Sequence, residues 1–347
     1  MSETPTSGAT AAFAPLIFGV LQFQVYTTAV RLGVPDAVAG TPRSAAELAA
    51  DLEADEANLH RLLRALVALG VLRYADEGRR FALTEAGRDL CEDAANGSRD
   101  LVAFFGEPLM WNTFGGLERS VRDGGPAFTG VTGEAFFDYF ASDPGFARSY
   151  HHGMRWGTAM MAPLLGAAYD WSGLARIIDV GGGDGGVLTS LLAAHPQAHG
   201  VVYDSAEAVR GVAEHARQAG IADRCTAEAG DFMAKVPAGG DGYLLKNVLH
   251  EWDDAACVRL LRNCREAMAD GGRVLIVATL LPEPGAAGDP SAFTYAALSD
   301  IQLMLASNGE RTLAEYTRLC AEAGMRITGV SKIPYLPNDN VIEATAA

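Results

Sequence analysis

A cluster of glycines flanked by aspartates is the part of this sequence best suited to chemistry. The apolar run 177–180 contains Asp179 and leads into the glycine-rich segment 181–186, which a helix-like segment follows. Glycines before a helix let backbone N–H groups meet a ligand without interference from Cβ atoms. A second apolar run, 201–203, ends in Asp204, whose carboxylate suits a ribose diol at the tip of the next strand. The pattern predicts a site for a cofactor that carries a nucleoside.

The glycines alone do not decide which cofactor binds. Gly181, Gly183 and Gly186 match G-x-G-x-x-G, the dinucleotide fingerprint, and a single match of this kind is weak evidence. Asp179 precedes them at the strand end, where its carboxylate could hold an ammonium group and would repel a pyrophosphate. This position therefore favours S-adenosylmethionine over NAD.

Two later segments favour the same cofactor. Asp231 and Phe232 offer a carboxylate and an aromatic ring side by side, which suit the amino group and the face of an adenine. Two β-like runs, 325–333 and 341–344, predict a closing antiparallel hairpin, which fits SAM-dependent methyltransferases better than dehydrogenases. The plain alternative is a glycine turn that binds nothing. Aspartates at three predicted strand ends disfavour it.

His250 is the residue best placed to transfer a proton. It follows the apolar run 242–246 in a polar turn with acidic and aromatic neighbours, at the edge where a ligand is expected. An imidazole can accept a proton near neutral pH. The alternative is a surface histidine ahead of the helix that begins near Asp253, and the neighbouring residues favour the functional interpretation.

The elements that must position these residues alternate between strand and helix patterns. Residues 166–347 are predicted to form the cofactor domain, with strands at 176–180, 199–203, 225–229, 242–246 and 273–278. Such alternation predicts a parallel sheet with helices on both faces. The expected fold is α/β: a Rossmann-like domain whose parallel sheet ends in the antiparallel hairpin.

Residues 1–98 are predicted to form a second, mostly helical domain. Ser44 and Glu47 form a capping box, and Asp55 opens the next amphipathic helix. Two short strands, 71–75 and 80–84, would follow as the wing of a winged helix. Because this helix begins with acidic residues where phosphate contacts need Lys and Arg, we expect packing and dimerisation rather than DNA binding.

The segment between these domains, 99–165, is predicted to be a helical linker that contributes to an acceptor pocket. It is rich in aromatic residues and methionine, which line sites for flat apolar molecules. Burial in a core is the alternative for each of them. The candidate pocket residues are Phe105, Trp111, Met154 and Trp156, with Met304 from the cofactor domain.

Composition excludes several classes of partner. A net charge of −16 over 347 residues opposes nucleic-acid binding. Five scattered cysteines indicate reduced thiols of a cytoplasmic protein and no zinc site; we expect no metal. The apolar segment 11–23 is too short to span a bilayer and is interpreted as a buried or interface helix.

Five motifs together resemble the SAM-dependent O-methyltransferases, which include the plant caffeic acid type and bacterial polyketide-tailoring enzymes. They occur in that family's order and spacing at residues 179–183, 230–232, 245–254, 281–282 and 309–312. The resemblance covers nearly the whole chain. It implies methylation of a phenolic or enolic hydroxyl on an aromatic small molecule, with S-adenosylhomocysteine as the other product. It also implies a homodimer in which each N-terminal domain closes the partner's pocket.

The resemblance also implies roles for individual residues. Those implied to contact the cofactor are Gly181, Asp204, Asp231, Phe232 and Lys246, with Trp252 against the adenine; the loop itself adds Asp179 and Gly183. His250 would be the general base, and Glu310 would orient it.

Two positions depart from the family pattern. Ala278 stands where the family often has a second acidic residue, and Glu251 stands where aspartate is more usual. One carboxylate beside the histidine is therefore missing. This keeps open an alternative in which the scaffold binds S-adenosylmethionine but performs hydroxylation, decarboxylation or pericyclisation. A regulator that senses a metabolite through its winged helix is a second alternative, and the acidic helix disfavours it.

Overall fold

The computed structural model describes residues 8–94, 96–286, 289–336 and 338–347, without the side chains of residues 8–14. These residues form two compact units. The first runs to Trp111 and includes Gly145–Trp156; the second comprises Asn112–Pro144 and Gly157–Ala347. The predicted linker 99–165 thus divides between the two units.

The first unit contains the predicted winged helix. Its elements are α1 (Gly8–Leu32), α2 (Val34–Ala39), α3 (Ala45–Asp51), α4 (Glu56–Ala68), β1 (Leu72–Ala75), β2 (Arg80–Leu83), α5 (Ser98–Phe105) and the first half of α6 (Pro108–Gly115). The capping box at Ser44 begins α3, and the Asp55 side chain accepts a hydrogen bond from the Asn58 N–H at the start of α4. β1 and β2 pair antiparallel as the wing. The predicted winged-helix pattern is confirmed.

Helix α4 shows why this unit is stable. Leu59, Leu63 and Leu66 recur at helical spacing on one face and are buried, together with Leu48 of α3 and Phe81 of β2. Fully burying one such side chain contributes about 1.5–3 kcal/mol. The amphipathic pattern therefore fixes which face of α4 is turned to the core.

The N-terminal half of α1 exposes apolar side chains, whereas Ala29 and Val30 near its C-terminus are buried. Leu16, Ile17 and Phe18 are 64–66% exposed, and Val20 and Leu21 also face solvent. A cluster of exposed large apolar side chains on one helix is typical of a surface that binds another protein. For these residues of segment 11–23, the interpretation as a buried helix is wrong. The interpretation as an interface helix stays a prediction.

The second unit contains the predicted parallel sheet. Its helices are α7 (Leu117–Asp123), α8 (Ala127–Thr132), α9 (Tyr139–Ser142), the end of α10 (Pro144–Ala168), α11 (Gly186–Ala194), α12 (Val212–Gln218), α13 (Asp254–Ala267), α14 (Pro290–Ala306) and α15 (Leu313–Glu322). Its strands are β3 (Arg176–Val180), β4 (His199–Asp204), β5 (Cys225–Ala229), β6 (Gly242–Lys246), β7 (Arg273–Leu281), β8 (Arg311–Thr312), β9 (Met325–Lys332) and β10 (Asp339–Ala346).

The strand order is β5-β4-β3-β6-β7-β10-β9, and the short β8 pairs with β7. Strands β3 to β7 are parallel, whereas β10 runs antiparallel to both β7 and β9. This confirms the Rossmann-like sheet with a closing hairpin. The bounds of β3, β5 and β6 are those predicted, but β7 runs on to Leu281 and β10 begins already at Asp339.

Apolar side chains cover both faces of the sheet. One core cluster includes Tyr243, Leu245 and Ile276, and a second, on the opposite face, includes Leu244 and Leu275. Continuous apolar runs are expected where a parallel strand is covered on both sides. All five cysteines are buried free thiols. No helix among the described residues is long and apolar enough to cross a membrane.

Candidate functional site

The glycine loop, residues 181–185, follows β3 and leads into α11. Gly181 and Gly183 have φ angles of 72° and 58°, which glycine adopts at no steric cost. A Cβ on Gly181 would lie 2.7 Å from Val248 Cγ2, whereas a Cβ on Gly183 would meet nothing within 4 Å. Gly181 therefore allows close packing, and Gly183 borders open space beside the helix N-terminus.

Asp179 lies just before this loop, and one of its carboxylate oxygens is available to a ligand. The residue is 2% exposed, and its Oδ2 has no hydrogen-bond partner among the described residues. Burial raises the pKa of Asp179 to about 7, although the charge of Lys246 acts in the opposite direction. A buried acceptor of this kind costs free energy unless a donor reaches it, so it suits a cationic group of a ligand.

Asp204 at the end of β4 closes the loop from the neighbouring strand. The Gly183 N–H donates to its Oδ2 at 2.9 Å, and the Ser205 N–H donates to its Oδ1 at 2.6 Å. The carboxylate that was predicted to meet a ribose diol thus lies beside the glycine loop, where it fixes the loop's backbone.

Aromatic rings gather beyond β5. The ring centroids of Phe232 and Trp252 are 6.0 Å apart, edge to face, and Phe137 stacks on Trp252 at 6.5 Å. Asp231 is exposed and accepts the Met233 N–H at 2.8 Å. Edge-to-face and stacked rings of this kind can hold a flat heterocycle. Phe137 was not among the predicted site residues. In the sequence, its position in an aromatic-rich segment was the indication of a role at the site.

Lys246 ends β6 between acidic groups. Burial lowers the pKa of its ammonium, while the charges of Asp179 and Asp339 act to raise it. A half-buried cation therefore lies at the same sheet edge as the glycine loop.

The histidine turn, residues 247–253, follows β6 and contains His250 in a short 3₁₀ turn, Leu249–Glu251. His250 is buried, and its Nδ1 lies 3.3 Å from Glu310 Oε2. Its Nε2 lies 3.6 Å from Glu251 Oε1. Burial acts to lower the pKa of His250, but the hydrogen bond to Glu310 and the charge of Glu251 outweigh it, so the pKa is raised. The imidazole is therefore a stronger base than an ordinary histidine.

Glu310 is itself held in place from α14. Its side chain is buried, its Oε1 accepts the Ser299 hydroxyl at 2.9 Å, and its backbone N–H donates to Asp300 Oδ1 at 2.9 Å. The predicted pair of His250 and Glu310 is thus in contact, although 60 residues separate the two in sequence.

Arg311 was not among the predicted site residues, yet it anchors the histidine turn. Its guanidinium donates to the carbonyl oxygens of Leu249 and Trp252 at 2.8 and 2.7 Å and to Asp254 Oδ1 at 3.1 Å. The planar fork of arginine suits several acceptors at once. Its sequence indication was its place in the motif 309–312, which drew attention only to Glu310.

The candidate acceptor residues fall in different units. Phe105, Trp111, Met154 and Trp156 belong to the first unit, and Met304 on α14 belongs to the second. Phe105 packs edge to face on Phe104 at 5.1 Å, and Trp111 lies 6.1 Å from Phe23. Met304 alone of the five shares a unit with His250.

Among residues 8–94, 96–286, 289–336 and 338–347, no three His, Cys, Asp or Glu side chains come together as metal ligands. The expectation of a metal-free reaction stays a prediction.

Comparison with known proteins gives consistent matches over both units. The sequence profile of the O-methyltransferase domain matches residues 114–326, and that of the O-methyltransferase dimerisation domain matches residues 15–93. O-demethylpuromycin-O-methyltransferase of Streptomyces alboniger is 37% identical over 345 residues, which cover 97% of this chain and 89% of the relative.

Solved structures agree with the sequence matches. The structure of the mitomycin 7-O-methyltransferase MmcR superposes with a TM-score of 0.86 at 30% identity and covers 98% of each chain. An O-methyltransferase of neocarzinostatin biosynthesis, solved with S-adenosyl-L-homocysteine and 1,4-dihydroxy-2-naphthoic acid, gives a TM-score of 0.74 at 32% identity. That match covers 94% of this chain and 96% of the other.

Proposed function

This chain belongs to the SAM-dependent O-methyltransferases that tailor secondary metabolites, and we propose that it methylates a phenolic or enolic hydroxyl of an aromatic small molecule with His250 as general base. The single observation that carries this proposal is the buried contact between His250 Nδ1 and Glu310 Oε2 at the carboxyl edge of the sheet.

The residues at this edge fit S-adenosylmethionine. The spare Oδ2 of Asp179 would accept its ammonium group, the open side of Gly183 would leave room for it, and Phe232 and Trp252 would hold the adenine. Asp204 and Asp231 would meet the ribose and the adenine amino group. When bound, the cofactor supplies a methyl group that its sulfonium already activates.

His250 would do the acid–base work. A phenol with an ordinary pKa of about 10 must lose its proton during attack, and the imidazole would take that proton at its Nε2, since its Nδ1 faces Glu310. The Glu310 carboxylate would fix the ring orientation and stabilise the imidazolium that forms. General-base assistance of this kind typically contributes about 10²–10⁴-fold to the rate.

The chemistry of the relatives supports an aromatic acceptor. One relative is named for O-demethylpuromycin, and one solved neighbour holds a dihydroxynaphthoic acid. We propose a phenolic or enolic acceptor of that general size, bound by aromatic and methionine side chains of which Phe105, Trp111, Met154, Trp156 and Met304 are the candidates. Cytoplasmic location stays a prediction from the unpaired cysteines.

We also propose a homodimer through the N-terminal domain. The match to the dimerisation domain begins at residue 15, within the helix that exposes Leu16, Ile17 and Phe18. A second copy of the chain would cover these side chains.

The experiment is to incubate the protein with methyl-deuterated S-adenosylmethionine and a panel of aromatic hydroxyl compounds that includes 1,4-dihydroxy-2-naphthoic acid. We expect one acceptor to gain the mass of a labelled methyl group and to carry it on oxygen. Products that gain oxygen or lose carbon dioxide instead would support the alternative chemistry. That alternative is not favoured, because the relatives reported above are named as methyltransferases.

A further inference from the structure

Asp184 is the single residue of the glycine loop, 181–185, that is not a glycine. Its neighbours Gly183 and Gly185 have φ angles of 58° and 80°. Because glycine adopts positive and negative φ angles with similar ease, the backbone around Asp184 has more conformations open to it than an ordinary turn has. Selecting one of them costs conformational entropy, so a ligand binds more tightly when other contacts already hold the loop.

The peptide group between Asp184 and Gly185 is held at both ends. The Gly185 N–H donates to the Gly182 carbonyl oxygen at 3.0 Å. The Asp184 carbonyl oxygen lies 2.8 Å from Nδ1 of His215, on α12. Because a carbonyl oxygen can only accept, His215 Nδ1 carries the hydrogen and donates it. This bond sets the orientation of the peptide group just before α11, whose N-terminus is suited to meet a ligand.

Helix α12 packs directly against the second half of the loop. A Cβ on Gly185 would lie 3.3 Å from Val212 Cγ2, and a Cβ on Gly211 would lie 3.6 Å from the Asp184 Cβ. Val212 is buried, whereas the His215 side chain is 32% exposed. The Asp184 Oδ2 is 3.9 Å from His215 Nδ1, beyond hydrogen-bonding distance, so Nδ1 donates to the carbonyl oxygen. The imidazole therefore lies at the edge of this packing, where a substitution removes the bond without opening the core.

The first half of the glycine loop is held from β4 instead. The Gly181 N–H donates to a carbonyl oxygen of β4 at 2.8 Å, and the Gly183 N–H donates to the Asp204 carboxylate at 2.9 Å. Both bonds lie on the N-terminal side of Asp184, so they do not orient its carbonyl group. The hydrogen bond from His215 does.

We propose that His215 is a positioning residue for the cofactor: through the Asp184 carbonyl oxygen it holds the second half of the glycine loop in a conformation that the cofactor would otherwise have to impose. This inference rests on the proposed placement of S-adenosylmethionine at the glycine loop. His215 acts through the loop backbone. It contributes to the affinity for the cofactor and not to the rate of methyl transfer in the bound complex.

The test compares two substitutions of His215 in the full chain. His215→Phe keeps a ring but removes the donor, whereas the side-chain amide of His215→Asn can place an N–H near the position of Nδ1. His215→Phe should raise the Kd for S-adenosylhomocysteine, measured by calorimetry, about 3–10-fold, as expected for one lost hydrogen bond. His215→Asn should restore the Kd to within about 2-fold of the wild-type value. In the labelled-methyl assay, His215→Phe should raise the KM for S-adenosylmethionine and leave kcat unchanged.

Hydrogen exchange of the free protein measures the proposed cause. The backbone amides of residues 183–186 should exchange about 3–10-fold faster in His215→Phe than in the wild type, because the loop opens more easily. Saturation with S-adenosylhomocysteine should reduce this difference, because the ligand then holds the loop.

Arg217→Met is the matched control on the same helix. Arg217 is exposed and forms its ion pair with Glu214, also on α12, at 2.5 Å. Its loss should leave the Kd within about 2-fold of the wild-type value, because an exposed ion pair contributes little. An unchanged Kd in His215→Phe, an equal rise in Arg217→Met or a lack of rescue by His215→Asn would overturn the proposal.

His215→Ala takes the place of His215→Phe if the latter does not fold, since alanine suits a helix and also lacks the donor. The same rise in Kd is expected, and an unchanged Kd overturns the proposal. The proposed function fails separately, if the wild-type protein binds no S-adenosylhomocysteine. Wild-type binding with the same affinity in the His215 variants refutes this inference alone.

Discussion

The glycine loop after β3 and the histidine turn after β6 lie at the same edge of one sheet but are held in different ways. The loop is shaped by its own glycines and by Asp204 on the adjacent strand. The turn is held by side chains from far along the chain: Arg311 binds two of its carbonyl oxygens, and the Asn308 side chain donates to the Glu251 carbonyl oxygen at 2.7 Å. A site for the cofactor can thus be built locally, whereas the base depends on tertiary contacts.

The histidine turn should show the largest effect when its base is removed. His250→Gln should lower kcat by about 10²–10⁴-fold while S-adenosylmethionine still binds, because general-base assistance is lost and the glycine loop is untouched. Steady-state kinetics and calorimetry measure the two quantities. His199→Gln is the control, since His199 is exposed at the start of β4. Unchanged kcat would show that the imidazole is only structural.

Removing the anchor of the turn should be the next largest change. Arg311→Met leaves the carbonyl oxygens of Leu249 and Trp252 without their arginine donor, and it should lower the free energy of unfolding by about 1–3 kcal/mol for each oxygen. Arg318 binds Asp254 as well, at 2.6 Å, but is half exposed. Arg318→Met should therefore lower the free energy of unfolding much less, because solvent screens an exposed ion pair. Chemical denaturation compares the free energies of unfolding of the two variants. Equal losses would contradict the anchoring role of Arg311.

The cofactor edge should respond to Asp179→Asn in two opposite directions. Loss of a charge-assisted hydrogen bond of about 1.5–3 kcal/mol should weaken S-adenosylmethionine binding about 10–100-fold. The free protein should become more stable above pH 7. Because the pKa of Asp179 is raised from 3.8 to about 7, the folded wild-type protein loses stability as the pH rises from 3.8 to about 7. The variant does not lose this stability, because asparagine does not ionise.

Thermal unfolding of the free protein at pH 5 and pH 8 measures the second effect. We expect Asp179→Asn to raise the free energy of unfolding by about 2–4 kcal/mol at pH 8 and by less at pH 5. The gain at pH 8 is limited because Lys246 loses the negative charge of Asp179. Asp223→Asn, at an exposed aspartate, should show no such pH dependence. A gain that is equal at both pH values would contradict the buried, protonated carboxyl.

The smallest expected difference in stability is between two alanine variants of the glycine loop. Gly181→Ala and Gly183→Ala both place alanine at a positive φ, at a cost of about 1 kcal/mol or more. Only the alanine at 181 also meets Val248, so it should destabilise the free protein by about 1–3 kcal/mol more. Urea unfolding of the pair measures this, and Gly183→Ala should instead weaken cofactor binding. Equal stability of both variants would contradict the close packing at Gly181.

The sequence by itself determined the elements and the cofactor edge of this protein. Apolar runs of the right length specified β3 and β6, and glycines between a strand and a helix specified the loop, because these features depend on neighbouring residues. The same holds for the cap of α13 at Asp253, whose side chain accepts the Ala256 N–H.

Only the tertiary structure decided how the base is supported. Glu310 and Arg311 reach the histidine turn from 60 and 62 residues further along the chain, through strand pairing and helix packing. Residues 338 and 339 read as a turn in sequence, yet pairing with β7 buries Asp339 beside Thr279. Burial and charge at such a position depend on the elements packed around it, and sequence spacing does not record them.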